Sequence, residues 1–498
     1  MASEEEARAP QEAAELEEFD LFEQQLEQEL RLKTSQSREE ASKAVRTLAE
    51  YALSDTALVS EEAIETIQNI IGELDQKLTE QVNLILHHQD FQKLEGAWRG
   101  LHHLVFNTNT DETLKIRVMN ISKDELGKTF KRYKGAAWDQ SPLFEKIYEH
   151  EYGTPGGEPY GCLVGDYYFD HSPPDVEVLR GIARVAAAAH APFISGASPD
   201  LLQMESWQEL DNPRDIGKIF QIPEYAAWRS LRESEDAKYV ALAMPRFLSR
   251  IPYGSQTDPV EEFDFEEETE AGAHDKYTWS NAAYAMATNI NRAFEQYGWC
   301  ARIRGLESGG AVENLPTHVF PTDDGGQDMK CPTEIAVTDR REKELSDNGF
   351  LPLCHYKNTD YSVFIGGQSL HKPQEYDDPD ATANERLGSR LPYMMAVCRF
   401  AHYLKAIVRD KIGSFKERDD MERWLNRWIQ NYVEADPANA PEERKAKYPL
   451  AEAEVHVEDV EGDPGYYRAR FYLRPHYQLE GVDVSLRLVS KLPSVKEG

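Results

Sequence analysis

The chain has 498 residues, of which 40% are hydrophobic, so it is long enough for roughly two to four domains with real cores. Its formal net charge of −34 makes free nucleic acid and anionic membranes poor partners. No apolar run reaches the ~18–20 residues of a membrane span, and the first residues lack the basic region and apolar core of a secretory signal. We therefore expect a cytoplasmic protein without membrane insertion, whose five scattered cysteines stay reduced.

The N-terminal stretch is strongly acidic, with eleven acidic residues against one basic residue in residues 1–30. Within it, the spacing of the apolar residues predicts a helix over 16–32. Its apolar face consists of Leu16, Phe19, Phe22, Leu26 and Leu30. A helix packed on its own domain and a tethered helix that docks on a partner explain this pattern equally well. A second helix is predicted over 38–53.

Three further elements are predicted before residue 133. Ser60 resembles an N-cap and begins a helix that continues to about His87. Asp90 is predicted to cap the next helix, whose apolar face is Phe91, Leu94, Trp98, Leu101 and Val105. A strand over 114–121 and a short helix over 122–132 follow.

The middle of the chain alternates between short apolar runs and a helical pattern. Runs over 160–169, 191–198 and 239–243 are predicted as strands, and an alanine-rich helix is predicted over 176–190. This β-α-β order is typical of an α/β sheet.

The stretch 257–270 holds eight acidic residues and no basic residue, and we expect a solvated loop or an insertion there. The elements predicted beyond it are a helix over 279–299, a strand over 329–338, a helix from Thr338 or Asp339 to Gly349, a strand over 350–354, a linker over 371–385, and helices over 389–412 and 420–433.

The last fifty residues alternate between apolar and polar residues with a period of two, which predicts strands over 451–457, 467–473 and 482–488. Turn residues at 462–465 predict a hairpin between the first two strands. Such a hairpin places Glu458 opposite Arg468 and Glu452 near Arg474. The strands are either the edge of an ordinary internal sheet or an edge that takes a partner strand.

A search for catalytic motifs finds no phosphate-binding loop, dinucleotide fingerprint, HExxH zinc motif or GxSxG elbow. The adjacent histidine pairs at 87–88 and 102–103 are poor chelates, because neighbouring helix positions point ~100° apart. We therefore predict no catalytic site, no metal and no cofactor. Two alternatives to a non-enzymatic assembly protein stay open. One is a soluble α/β enzyme whose acidic loop gates the substrate, and the other is a monomeric scaffold or adaptor.

Four motifs, in this order, resemble the large subunit of the bacterial type VI secretion contractile sheath, the TssC/VipB family. They are FQKLEGAWRGL at 91–101, MPRFLSRIPYG at 244–254, TEI at 333–335 with DRREKEL at 339–345 and GF at 349–350, and SRLPY at 389–393 with RFAHY at 399–403. The resemblance covers roughly residues 40–490. It implies a mixed α/β fold like that of contractile tail sheaths, with N-terminal helices and a C-terminal interlocking β-sheet.

The resemblance also implies a non-enzymatic structural role. Members of the family pair with a small sheath subunit (TssB/VipA-like) and polymerise with further copies of themselves into a helical lattice. The lattice surrounds an inner tube of Hcp-type hexamers and stands on a baseplate, and its contraction propels the tube into a target cell. A ClpV-type AAA+ ATPase then disassembles the contracted sheath by gripping an N-terminal helix of the large subunit.

On this interpretation the chain divides into an N-terminal arm over 1–60, a central domain over 61–380 and an inner sheath-core domain over 381–498. The arm contacts the ATPase, through the helix 16–32, and the small subunit. The predicted inter-protomer strands contain Val455, Val457, Arg468, Arg470, Phe471, Val484 and Leu486. The candidate contacts to the inner tube are Arg423, Asn426 and Arg427 of the helix 420–433, and a core helix that packs through Trp424 and Trp428 explains this segment at least as well.

Overall fold

The structure, a computed structural model, describes residues 43, 47, 63–212, 215–269, 273–322, 325–411, 418–459, 467–476 and 478. The predicted helix 16–32, the turn 462–465 and the predicted strand 482–488 lie outside these residues. The chain forms two compact units. The first contains the described residues up to Leu86 together with Tyr253–Glu268, and the second contains the rest.

The longer helices are α1 Ala63–Leu86, α2 Gln89–Phe106, α3 Lys123–Arg132, α4 Pro173–Ala189, α5 Ala226–Arg232, α6 Ala282–Tyr297, α7 Asp339–Asp347, α8 Pro379–Gly388, α9 Leu391–Lys411, α10 Arg418–Ile429 and α11 Glu442–Lys447. The strands are β1 Leu163–Phe169, β2 Phe193–Ala197, β3 Val240–Met244, β4 Phe247–Leu248, β5 Trp279–Ser280, β6 Ala311–Val312, β7 His318–Pro321, β8 Gln327–Lys330, β9 Phe350–His355, β10 Ser362–Phe364, β11 Leu450–Asp459 and β12 Tyr467–Pro475. None of these helices is long and apolar enough to cross a bilayer.

The second unit is organised around a six-stranded sheet in the order β1-β2-β3-β9-β10-β6. The first four strands are parallel, and β10 and β6 pair antiparallel to their neighbours. Both faces are buried. Val240 and Leu242 pack in a core with α4, whereas Ala241 and Ala243 pack in a core with α6. The predicted α/β fold, with β1, α4 and β2 in succession, is confirmed.

A third core lies near the C-terminal end of the described chain. It is built from Phe400 and Leu404 of α9, Leu425 and Ile429 of α10, and the apolar face of β11. The hairpin of β11 and β12 therefore packs on two helices. This packing matters because a two-stranded hairpin alone is marginally stable in water.

The acidic stretch forms part of the first unit and is more structured than predicted. The side chain of Asn83 in α1 donates to Glu266 O (3.1 Å) and accepts from Glu268 N (2.9 Å). Phe265 is buried. The stretch is a loop, as predicted, but it is not solvated at Phe265 and Glu267, whose side chains are buried.

The predicted strand over 114–121 is also wrong. The segment is extended, but it pairs with no strand of the described chain, and the backbone of residues 115–120 makes no hydrogen bond there. Its ends are held locally, since Leu114 O accepts from Asp111 N and Ile121 O accepts from the Tyr167 hydroxyl. The alternation that predicts a strand is present without the partner that a strand needs.

Other differences concern where elements begin and end. Helix α2 is capped by His88, whose Nδ1 accepts from Asp90 N, so Asp90 is not the cap. The strand predicted over 329–338 ends at Lys330. Thr338 does cap α7, as predicted, and Gly349 follows that helix with a left-handed φ of 86°. The predicted linker over 371–385 contains the first turns of α8.

Candidate assembly surfaces

Helix α2 packs on its own unit through glycines. A Cβ atom at Gly96 would lie 2.4 Å from Trp279 O, and one at Gly100 would lie 2.4 Å from the Tyr284 ring. The only residue of larger size buried on this side of the helix is Leu104. The first motif of the sequence thus contains glycines because the backbone of α2 approaches β5 and α6 closely.

The large apolar residues of α2 lie on the opposite side. Leu94 is 57% exposed and Trp98 is 66% exposed, and Val105 and Phe106 are exposed as well. Leu94, Trp98 and Val105 of the predicted apolar face point outward, because the glycines occupy the side of the helix that packs on its unit. We call Leu94, Trp98, Val105 and Phe106 the α2 stripe. An exposed apolar stripe of this kind is typical of a protein–protein contact.

The first two motifs of the sequence meet in a buried ion cluster. Glu95 Oε1 lies 2.7 Å from Arg99 Nε and 2.7 Å from Arg250 Nε, while Glu95 Oε2 accepts from the Thr278 hydroxyl at 2.9 Å. Burial raises the pKa of Glu95, but hydrogen bonds and charge from Arg250, followed by bonds from Arg99 and Thr278, leave this pKa below its usual value. The cluster holds α2 against the segment that follows β4.

The second and third motifs meet in the same way. Glu334 is almost completely buried and lies 2.6 Å from Arg246 Nη2, while its other oxygen accepts from Arg246 N at 2.8 Å. His274 Nε2 is 3.0 Å from the same carboxylate. Burial raises the pKa of Glu334, but the charge of Arg246 and the hydrogen bonds from His274 and Arg246 together outweigh burial, so the pKa lies below its usual value. The bonds among Glu334, Arg246 and His274 join segments of the second unit and help to fix its fold.

One group in the described chain could offer three ligands to a metal: Glu235, His371 and Glu385. Lys238 Nζ already lies 2.7 Å from Glu235 and 2.8 Å from Glu385. The ammonium group therefore supplies the positive charge that these carboxylates need. The cluster is explained as an internal ion network.

The C-terminal hairpin has the register that the sequence predicts. Glu458 faces Arg468 and Glu452 faces Arg474 in the β11–β12 ladder. The ion pairs are Glu452–Arg474 and the diagonal Glu458–Arg470, each at 3.2 Å. All four side chains are exposed, so these pairs set the register more than they stabilise the fold.

The outer edge of β11 is occupied by side chains of α10 and of Gln430, the residue that follows this helix. Asn426 donates to Val455 O at 2.7 Å and accepts from Val455 N at 3.0 Å. Glu422 accepts from Val457 N at 2.7 Å, and Gln430 donates to Ala453 O at 3.0 Å. These bonds satisfy the backbone groups that a visiting strand would need on this edge.

The outer edge of β12 is different, because an apolar groove of about 540 Å³ lies beside it. The groove is formed by Val397, Ala401, Leu404, Lys405, Val408 and Arg409 of α9 with Ala469, Phe471 and Leu473 of β12. Arg409 Nε and Nη1 are buried there and make no hydrogen bond within the described chain. Within the described residues β12 has no neighbour on this edge, and a free strand edge beside an apolar groove is the arrangement used for strand addition.

Two family models match the chain in succession. The EvpB/VC_A0108 tail sheath N-terminal domain matches residues 68–371. The EvpB/VC_A0108 tail sheath gpW/gp25-like domain matches residues 380–492. The chain belongs to this tail sheath family.

A curated relative of this sheath subunit, the type VI secretion system sheath protein TssC1 of Pseudomonas aeruginosa strain PAO1, is 69% identical over 470 residues, which are 94% of each chain. The predicted membership of the type VI sheath large-subunit family is thereby confirmed, and with it the structural role. Among solved structures, the anti-feeding prophage baseplate matches 76% of this chain and 84% of its own chain, at 12% identity and a TM-score of 0.35. That likeness is too low to support an inference.

The predicted site residues of the sheath subunit fall into three groups. Leu16, Phe19, Phe22, Leu26, Leu30, Val484 and Leu486 lie outside the described residues. Val455 and Val457 are buried in the subunit's own core, whereas Arg468, Arg470, Arg423 and Arg427 are exposed and Phe471 lines the groove. The amide of Asn426 is used by β11, so of the three inner-tube candidates only the two arginines have exposed side chains. The sequence pattern missed Arg409, which no motif marks.

Proposed function

We propose that this chain is the large subunit of a contractile sheath that polymerises in the cytoplasm with a small sheath subunit, around an inner tube of Hcp-type hexamers and on a baseplate. It performs no catalysis. The extended lattice stores free energy because its subunits are packed less well than in the contracted one, and contraction moves the inner tube into a target cell. The joints between protomers stay intact while the rigid parts rotate.

The observation that best supports this proposal is the asymmetry of the terminal hairpin. The β11 edge is satisfied by Asn426, Glu422 and Gln430, while the β12 edge has no neighbour among the residues that the structure describes and lies beside the groove. A strand from a neighbouring protomer adds to β12 through backbone hydrogen bonds, and its alternate side chains enter the groove. Arg409 then donates to acceptors of the visiting strand.

The test is a proline at Phe471, and the register explains why this position is informative. Val455 lies opposite Phe471, and its backbone groups bond Asn426 instead of β12. In an antiparallel ladder such a pair is not hydrogen-bonded, so Phe471 N–H points away from β11 and towards the open edge. Phe471→Pro therefore removes a donor from the inter-protomer joint and none from the hairpin.

We expect the Phe471→Pro heterodimer to form through the helices and to give short tubules or none in electron micrographs. Phe471→Tyr keeps the backbone donor and serves as the control for the side chain. Size-exclusion chromatography of both heterodimers shows whether each is folded. Tubules of wild-type length from a folded proline variant would show that β12 does not join protomers.

We also propose that the helix predicted over 16–32 is the handle for a ClpV-type ATPase, which grips it only in the contracted sheath. Its apolar face fits a hydrophobic groove, and the acidic residues around it steer the encounter. Replacing Phe19 and Phe22 by alanine should leave assembly intact and slow disassembly. Unchanged binding of the ATPase to the double variant would contradict this assignment.

A further inference from the structure

Helix α8 has little apolar surface with which to hold its place on the second unit. None of its ten residues is buried. A helix of this length is marginal in water by itself, because its few hydrogen bonds barely offset the cost of forming the first turn. Beyond its last residue, Ser389 O accepts from Ser369 N at 3.0 Å. Within the helix, Glu385 makes side-chain contacts with Lys238 and His371 of the body of the unit.

His371 lies on the inner side of this contact and is only 4% exposed. Its Nδ1 atom is 3.0 Å from Ser234 O, and its Nε2 atom is 3.1 Å from Glu385 Oε1. The backbone on either side of it is bonded at 2.7 Å to β3 and at 2.8 Å to α5. The position of the imidazole ring between these two oxygens is therefore set by the main body of the unit.

Both oxygens are acceptors, and this determines which protonation state the contact needs. A backbone carbonyl group such as that of Ser234 cannot donate. Burial raises the pKa of Glu385, but Lys238 and then His371 outweigh burial, so this pKa lies below its usual value and the group is an ionised acceptor. A neutral imidazole has one N–H, so one of its nitrogens would direct a lone pair at an oxygen. Only the protonated imidazolium of His371 donates to both.

Charged groups from three elements surround the ring. Glu235 and Lys238 precede β3, Glu385 belongs to α8, and Arg232 ends α5, where its Nε donates at 3.0 Å to the carbonyl group that precedes His371. Lys238 Nζ lies 2.7 Å from Glu235 and 2.8 Å from the same Glu385 oxygen that faces the ring. The two carboxylates therefore balance the two cations. The hydrogen bonds of the ring decide whether His371 keeps its second proton.

We propose that His371 forms a pH-sensitive contact that holds α8 on the second unit while the imidazole is protonated and releases it when the proton is lost. A free histidine loses its proton at about pH 6.5, so the contact is present in full below that pH and weakens as the pH rises above it. The first tail sheath model ends at His371 and the second begins within α8, at residue 380. Release of α8 thus loosens the connection between the two matched parts of the subunit.

Hydrogen exchange of the full chain, purified with its small subunit, measures the opening of α8 between about pH 6 and about pH 9. Because the closed form binds one proton more than the open form, the protection factors of α8 amides should fall by up to about tenfold per pH unit above about pH 6.5. Those of α4, which packs in a core of the main sheet, should stay constant. His371→Gln cannot become charged and should remove this slope. Glu385→Gln should remove it as well, because the new amide can donate to a neutral imidazole.

His355→Gln is the matched control. His355 Nδ1 also faces a backbone oxygen, that of Tyr361 at 3.2 Å, but His355 makes no ion pair with a carboxylate among the described residues. This variant should keep the slope of the unmodified protein. Protection of α8 that does not change with pH in the unmodified protein, or a slope that persists in a folded His371→Gln variant, would overturn the proposal. Loss of the slope in the control would do so too, and Glu385→Gln decides in the same way if His371→Gln does not fold.

Discussion

Replacing Gly96 by alanine tests whether glycines hold α2 in place. The added Cβ would lie 2.4 Å from Trp279 O, and side-chain carbons essentially never approach another heavy atom closer than 3.0 Å. The obstacle is a backbone atom of β5, so it cannot swing aside. Helix and strand must separate by at least about 0.6 Å, which strains the bond from the Ser280 hydroxyl to Gly96 O, now 2.8 Å long.

The expected loss follows from three contributions. Overpacking a tight contact costs about 1–3 kcal/mol, and a lost hydrogen bond costs about 1 kcal/mol. The better helix propensity of alanine returns about 1 kcal/mol. The free energy of unfolding should therefore fall by about 1–3 kcal/mol.

Gly72→Ala is the matched control, because Gly72 lies in α1 and nothing would come within 4 Å of a Cβ there. Without a steric penalty, this substitution should raise the free energy of unfolding by about 0.5–1 kcal/mol. Urea unfolding of the co-expressed heterodimer, followed by tryptophan fluorescence, measures both variants. A Gly96→Ala complex that is as stable as Gly72→Ala, or more so, would refute the claim that α2 depends on this close approach.

Three other predictions concern single contacts. Burial raises the pKa of Asp166, so the folded state favours the neutral carboxyl group, and stability is lost as the pH rises from the unfolded to the folded pKa. Asp166→Asn should therefore stabilise the complex at pH 7 but not at pH 3, and equal melting temperatures of the two proteins at pH 7 would contradict this. Asn426→Ala should reduce the free energy of unfolding by about 1–3 kcal/mol, because Val455 N–H and C=O lose their partner, and an unchanged urea midpoint would count against the capped edge. Reversing the charges of Arg423 and Arg427 should prevent assembly on the inner tube without unfolding the heterodimer. Normal contraction of that variant would show that α10 does not contact the inner tube.

Much of the regular structure of this sheath subunit can be predicted from local sequence. The period of two in 451–457 and 467–473 fixes which residues of the hairpin face the core, and a shift by one residue would turn every side chain to the other side. The pairing of Glu452 with Arg474 then follows from the position of the turn. Likewise, Thr338 caps its helix because the capping bond, to Arg341 N, is made within four residues. These features involve neighbours in the chain, so the sequence contains all the information that they need.

Contacts between distant residues required the tertiary structure. Nothing in the spacing shows that Glu95 binds Arg250, 155 positions away, or that the glycines of α2 face β5 while Leu94 and Trp98 face outward. Apolar periodicity identifies a helix but not which side its own unit covers, since a close backbone contact through glycine buries surface without any large side chain. For the same reason, residues 114–121 have the alternation of a strand and no partner in the described chain. The sequence by itself determined the family, the helices and the hairpin register, whereas only the tertiary structure decided which apolar faces and strand edges are left uncovered, because that depends on what the rest of the chain brings alongside them.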